Sequence, residues 1–363
     1  MKISRILSFL LLVITTSGCC FAQSKKQLNV ISAPSTTVMA NSDETDQLAF
    51  SPNSQLLASI GIDGNSQSSF TTWKISLKIW KVTNDKLSNA LKQKYLVRSP
   101  ALGLGGIAFS PTGSQLATGK WDANTFTHTI EIRDTVSWKI IHKIVIQEVS
   151  GKCCGLGTLR LAYSPNGAFF AQLDFNGHLR IWQTKDWKLL RVIPINSLIS
   201  SVSFSPDSKT IGVASDNQDA RLWDVQTGQV TKIISKSTGA EPGVFYSCAA
   251  IRFSPNGNQL AVAIAGAPTY VEDIKTGRIQ CKLTNSKSAV QSMSFSPDGR
   301  YLVTASLFQP IIIWNTLSGK KVKTLTDNTR PHSDVSFSPD GKLLAACGKK
   351  GKIEVWDVAK LHL

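Results

Sequence analysis

The chain has 363 residues, 42% of them apolar and 18% charged. That is enough apolar material for a large core and too little charge for a disordered or solvating chain. Lys and Arg outnumber Asp and Glu by 40 to 24, a formal charge of +16. Such a surplus draws a protein toward anionic surfaces or simply keeps it soluble. The basic residues are scattered with no long run, which favours the second reading.

The N-terminus carries an address. Lys2 and Arg5 form a basic start, Ile6 to Ile14 a short apolar stretch, and Thr15 to Gln23 a small, polar close. This is the pattern of a signal peptide over residues 1–22, and the apolar run is far short of the roughly 20 residues a membrane span needs. Two processing routes fit. Cys20-Phe21-Ala22 before Gln23 suits signal peptidase, whereas Thr16-Ser17-Gly18-Cys19 resembles a bacterial lipoprotein box that would lipidate Cys19. The first is favoured, because Thr16 stands where an aliphatic residue is usual. The expected destination is periplasmic or secreted, with a membrane-tethered lipoprotein as the alternative.

After an N-terminal segment over 23–45, one anchor recurs through the chain: an aromatic residue followed by Ser-Pro. Its copies begin at Phe50, Phe109, Tyr163, Phe204, Phe253, Phe295 and Phe337. A second anchor follows 19 residues later at Trp182, Trp223, Trp314 and Trp356, with Glu272 in that place in the fifth copy. Trp80 and Arg133 serve in the first two copies, where insertions separate the anchors. Between anchors the chain reads as four short strands. In the fourth copy Val202 to Phe204, Thr210 to Ala214, Ala220 to Trp223 and Val230 to Ile234 are separated by Ser-Pro-Asp-Ser and by Val225-Gln226-Thr227-Gly228 turns. Four strands in a period of about 42 residues make one blade of a β-propeller. The expected fold is therefore all-β: a seven-bladed propeller of four-stranded antiparallel blades over 46–363.

Phe-Ser-Pro-Asp-Gly at 295–299 and 337–341, Trp223-Asp224, Trp356-Asp357, Thr227-Gly228 and Thr276-Gly277 resemble the signatures of the WD-repeat family. The resemblance implies a rigid disc that presents loops to protein partners. Two family features are missing. The opening Gly-His pair survives only as Pro331-His332, and Asn176, Asn217, Phe308 and Lys350 stand where an Asp is usual six residues before the Trp. Blade cohesion is therefore expected to rest mostly on apolar packing. The last copy stops after three strands, so an N-terminal strand, Gln27 to Ile31 or Thr36 to Met39, is expected to complete the last blade and close the ring.

Loops b–c and d–a fall on one rim, and loops a–b and c–d on the other. Insertions at 61–75, 119–127, 147–157 and 235–245 lie on the first rim, and one at 83–94 on the second. Unequal loops on a rigid scaffold mark an added binding surface. The candidate partner residues there are Trp73, Trp121, Phe245, Phe308, Arg330, Lys349 and Lys350, with Phe70, His332 and Lys352 beside them. No catalytic residue, metal site or cofactor is indicated. The histidines are unpaired at ligand spacing, Cys153, Cys154, Cys248, Cys281 and Cys347 match no zinc pattern, and nucleophile-elbow and phosphate-loop motifs are missing. Cys347, in an apolar strand, reads as a buried free thiol. The expected function is an exported, monomeric scaffold for a protein partner and not for nucleic acid. The alternatives are an envelope enzyme with a central-channel site and a binder of anionic envelope polymers.

Overall fold

The computed structural model describes residues 33–40, 44–63, 74–83, 86–89, 95–98, 105–122, 125–147, 159–174, 177–195, 199–215, 220–235, 249–264, 268–283, 290–306, 309–326, 332–348 and 350–363. These residues fold into seven antiparallel sheets. Strand a is innermost in each and strands b, c and d follow outward. Blade 4 is representative, with Ile199–Phe204, Thr210–Ser215, Ala220–Asp224 and Val230–Ser235 as strands a to d. The other inner strands are Glu44–Phe50, Ile107–Phe109, Arg160–Tyr163, Ala249–Phe253, Val290–Phe295 and His332–Phe337. Each inner strand packs on the next, and the seventh packs on the first, so the ring is closed.

The repeat spacing seen in the sequence is a strand register. Trp182 pairs with Phe170, Trp223 with Ile211, Glu272 with Leu260, Trp314 with Leu302 and Trp356 with Leu344. Trp80 pairs with Leu57 and Arg133 with Leu116, so these two residues hold the same place despite the insertions. The insertions themselves are partly strand. In blade 1, strand b runs Leu56–Asp63 and strand c Lys74–Thr83; in blade 2 they run Gln115–Asp122 and Thr127–Asp134. The expected 83–94 loop also holds a strand. Lys86–Asn89 pairs with the end of strand c, and Tyr95–Arg98 pairs with its start. The extra length thus lets the long strand c bond at both ends of its outer edge, where the sequence had suggested a loop.

The last blade is completed by Thr36–Met39, which pairs antiparallel with Lys352–Asp357 from Thr36↔Val355 to Met39↔Lys352. This is one of the two candidates for the closing strand; the other, Gln27 to Ile31, lies outside the described residues. Ala40 adds a backbone bond, its N–H donating to the Gly351 carbonyl at 2.7 Å.

The core is divided among the interfaces between neighbouring blades. One apolar cluster fills each of the seven gaps, from Ala58, Ile60 and Ile79 against Ile107 and Leu116 between blades 1 and 2 to Leu343 and Val355 against Leu48, Phe50 and Trp80 between blades 7 and 1. The anchor aromatics and the Trp residues sit in these clusters. Each large aromatic buries roughly 150–250 Å², worth about 4–6 kcal/mol as an upper figure. A four-stranded blade cannot cover its apolar faces alone, and stacking covers them.

Candidate functional site

The two rims of the disc are built differently. On one, all seven Ser-Pro turns use their polar groups internally. The buried serines Ser51, Ser164, Ser205, Ser254, Ser296 and Ser338 donate to the Asn or Asp two residues on, and Ser110 shares a hydroxyl contact with Thr112. The same hydroxyls accept the N–H that opens strand b, for example from Phe169 at 2.9 Å and Leu343 at 2.9 Å. Neighbouring turns tile against each other. A Cβ on Gly113 would meet Pro52, one on Gly167 would meet Pro111, and one on Gly257 would meet Pro206. Blades 1 and 4 carry Ser54 and Ser208 where the others have Gly, at φ 59° and 62°. Their hydroxyls accept N–H groups of the preceding blade, from Asp340 at 3.1 Å and Asn166 at 3.0 Å.

The sequence assigns the candidate partner residues to the opposite rim. Trp73, Phe245, Phe308, Arg330 and Lys349 lie outside the described residues, as does Cys19. Lys350 is exposed at the b–c turn of blade 7, in the left-handed region at φ 65°, beside Gly351, on which the closing strand docks. Trp121 is only 6% exposed. Its indole lies 4.4 Å from the His128 ring and 6.3 Å from Phe126, so it packs beneath its own b–c turn. His332, read from sequence as part of a basic rim, is instead buried and faces Glu354 at 3.4 Å. It lies on strand a, and its ring faces strand c of the same blade.

Beneath this rim lies a polar girdle around the channel, which no local motif announces. An inner strand has a free edge whose N–H groups need partners. Side chains of the preceding blade supply them. Gln47 Oε1 accepts from Ile107 N–H at 3.4 Å, Asp334 Oδ2 from Leu48 N–H at 2.8 Å and Ser201 Oγ from Ile251 N–H at 3.2 Å. One step along, Ser203 and Ser294 accept from Phe253 and Phe337. Gln47 also donates to the Gly105 and Leu159 carbonyls, at 3.2 and 3.1 Å, and so reaches two blades onward. Gly105 and Gly106 let backbones approach closely here; a Cβ on Gly105 would lie 2.2 Å from the Gly119 carbonyl oxygen, and one on Gly106 2.8 Å from that of Leu159. Arg252 Nη1 reaches back to Ser201 Oγ at 2.7 Å, and Arg160 Nε donates to the Ser200 carbonyl at 3.2 Å.

Charge in the girdle is mixed. Burial raises Asp46 from 3.8 to about 6, with Glu44 and Asp334 adding repulsion and Arg160, 3.9 Å away, opposing it. Burial also holds Arg252 below the usual guanidinium range and pushes the Cys347 thiol up. Cys347 is a buried free cysteine, as expected, and so is Cys281. Between blades 2 and 3, Asp174 binds Arg180, accepts from His178 N–H at 2.9 Å and lies 3.4 Å from His178 Nδ1. It thus does the job of a b–c turn carboxylate from eight residues before Trp182, two earlier than the family pattern suggested. Burial lowers nearby His128 from 6.5 to about 4.

Polar support for the Trp anchors survives in part. Trp80 Nε1 donates to Ser59 and Trp314 Nε1 to Thr304, each at 3.0 Å. Where the Trp is replaced, ions fill the place: Glu272 pairs across the blade interface with Lys232, and Arg133 pairs with Glu131 at 2.6 Å. No group of three or more metal-ligating side chains occurs among the described residues.

The family model for the WD domain, G-beta repeat, matches residues 187–224, 277–307 and 319–357. These segments run through blades 3 to 7, and the third ends in the blade that the N-terminal strand completes. The chain is a propeller of the WD-repeat type. It is 29% identical to WD repeat-containing protein 1 of Bos taurus over 169 residues, covering 35% of this chain and 28% of that protein. It is also 27% identical to WD repeat and SOCS box-containing protein 1 of Xenopus tropicalis, over 40% of this chain and 34% of that one. Against the LEC14B homolog of Prunus armeniaca it is 26% identical, over 36% and 30%. The matches thus span about a third or less of these relatives. WD-repeat propellers serve in general as non-enzymatic scaffolds for protein interaction.

Proposed function

We propose that this WD-repeat propeller is an exported scaffold that holds a protein partner on the rim formed by its b–c and d–a loops. The observation that carries the reading is the contrast between the rims. On the Ser-Pro rim the serine hydroxyls and turn carboxylates are committed to the turns themselves, and Pro tiles on Gly from blade to blade. On the other rim the blades differ in loop length, and Lys350 stands exposed. A surface that varies over a scaffold that does not is where partner specificity resides. The N-terminal signal pattern supports action outside the cytoplasm, and Cys19 would tether the protein if lipidated.

The test is charge reversal. Lys349→Glu combined with Lys350→Glu should weaken capture of the partner and flatten its dependence on salt, because exposed ionic contacts are screened by added ions. Undiminished capture by the double variant would remove this rim from consideration.

A further inference from the structure

The polar girdle keeps its charges on opposite sides of the channel. Its carboxylates stand on two adjoining blades, Glu44 and Asp46 on blade 1 and Asp334 on blade 7, while its cations, Arg160 and Arg252, stand on blades 3 and 5. In a closed ring of seven, blades 3 and 5 flank blade 4, which lies opposite the junction of blades 7 and 1. Neither side is fully neutralised. Among the described residues one ion pair crosses the channel, Arg160 Nη1 to Asp46 Oδ2, and it is long at 3.9 Å. Arg252 makes its hydrogen bonds from Nη1 alone, to Ser201 Oγ at 2.7 Å and to the Ile251 and Val202 carbonyls at 2.9 and 3.2 Å, so Nε and Nη2 keep donors to give, and no carboxylate among the described residues pairs with it. Arg160 gives Nε to the Ser200 carbonyl at 3.2 Å and keeps Nη2. Asp334 accepts from Leu48 N–H and Ser292 Oγ, and Glu44 from Ser333 Oγ, all neutral donors. Solvent reaches the girdle: the Arg160 side chain is 22% exposed, and Glu44, Arg252 and Asp334 are half-buried.

From this arrangement we propose that the girdle binds a small zwitterion of the amino-acid type, its carboxylate held by Arg160 and Arg252 and its ammonium by Glu44, Asp46 and Asp334. Charges that served only to hold the ring together would be matched in close pairs, because a buried charge short of its counterpart is costly. Burial raises Asp46 to about 6 in spite of Arg160 beside it, so positive charge is what that side lacks. A lone anion would suit the arginines and meet three carboxylates. A lone cation would suit the carboxylates and meet two arginines. A molecule carrying both charges, set along the line from blade 4 to the junction of blades 7 and 1, meets each with its opposite, and the guanidinium forks match a carboxylate in shape as well as charge. The site lies beneath the loop rim and does not depend on what the loops hold.

The full chain is melted near neutral pH with free L-amino acids, each supplied alone at about 5 mM, since a ligand that binds only the folded state raises the midpoint. Acetate and methylamine at the same concentration supply the two charges separately. At least one amino acid is expected to raise the midpoint by several degrees, and acetate and methylamine to leave it within a degree. Calorimetric titration with that amino acid then reads the variants. Arg160→Gln and Glu44→Gln each remove one charge and keep a polar side chain of similar reach. Each should weaken binding several-fold, and the two together at least tenfold, with ligand-free melting temperatures within a few degrees of wild type. If the arginine variant does not fold, Glu44→Gln decides alone. Midpoints that no amino acid moves, an equal rise with acetate or methylamine alone, or undiminished affinity in the folded variants would each overturn the proposal.

Discussion

Asp46→Asn should stabilise the protein at neutral pH, and the size of the effect follows from the girdle. The Asp46 carboxyl titrates near 6 in the fold against 3.8 for the free group. Between these values the folded state holds a proton that the unfolded chain releases, so stability falls as pH rises through this window and the full deficit is present above it. A difference of about two units, at 1.36 kcal/mol each, is about 3 kcal/mol. Asparagine keeps the shape and carries no charge, so the variant should recover about that amount at pH 7.5 and nothing below pH 4. His128 works in the opposite sense. Its ring titrates near 4 against 6.5 when free, so the unfolded chain binds the extra proton and stability falls as pH drops through that window. In the wild type the two slopes oppose each other between pH 4 and 6, and the profile there should be shallow. Asp46→Asn should unmask a steep loss of stability toward acid, and His128→Phe should unmask the reverse. Urea midpoints from pH 4 to 8 measure all three profiles. Parallel profiles, or an Asp46→Asn protein no more stable than wild type at pH 7.5, would refute the assignment of a buried carboxylate with a raised pKa to the channel.

Other perturbations follow from the same contacts. Gln47→Ala strands the Gly105 and Leu159 carbonyls and the Ile107 N–H, which should cost about 2–5 kcal/mol by denaturant melt; Gln47→Glu should not rescue it, because a carboxylate cannot donate. Gly105→Ala would place a Cβ 2.2 Å from backbone oxygen, so a lower midpoint by about 2 kcal/mol or more is expected. At Ser208, Ala should lose about 1–2 kcal/mol through the Asn166 bond, whereas Gly also relieves the left-handed backbone and should lose less. Deleting residues 24–41 removes the closing strand and exposes the edge of Lys352–Asp357, and the melting temperature should fall by many degrees.

Much of the ring could be read in the sequence because its determinants are local. The Ser-Pro turn is completed within six residues, and the distance from anchor aromatic to Trp is fixed by one hairpin register, so both recur visibly. The girdle could not be read that way. Gln47, Arg160, Ser201, Ser292 and Asp334 share one place on the inner strands but have different chemistry, and each acts on a neighbouring blade about 40 or more residues away. Trp121 and His332 show the same blindness from the other side. Both flank rim loops in sequence, yet both are buried, Trp121 against His128 and Phe126 and His332 facing Glu354. The strands of blades 1 and 2 outran their expected ends because Gly and Asp read as loop locally, while the neighbouring strand supplied partners that kept them extended. The channel polarity is thus a product of assembly.

The claim that one rim binds a protein partner is tested most directly by placing a photo-crosslinking residue at Lys350 and, in a second protein, at Lys209, which is exposed on the Ser-Pro rim. The account predicts an adduct with the copurifying partner from position 350 and none from position 209. An adduct from position 209, with none from position 350 while the partner still copurifies, would contradict it.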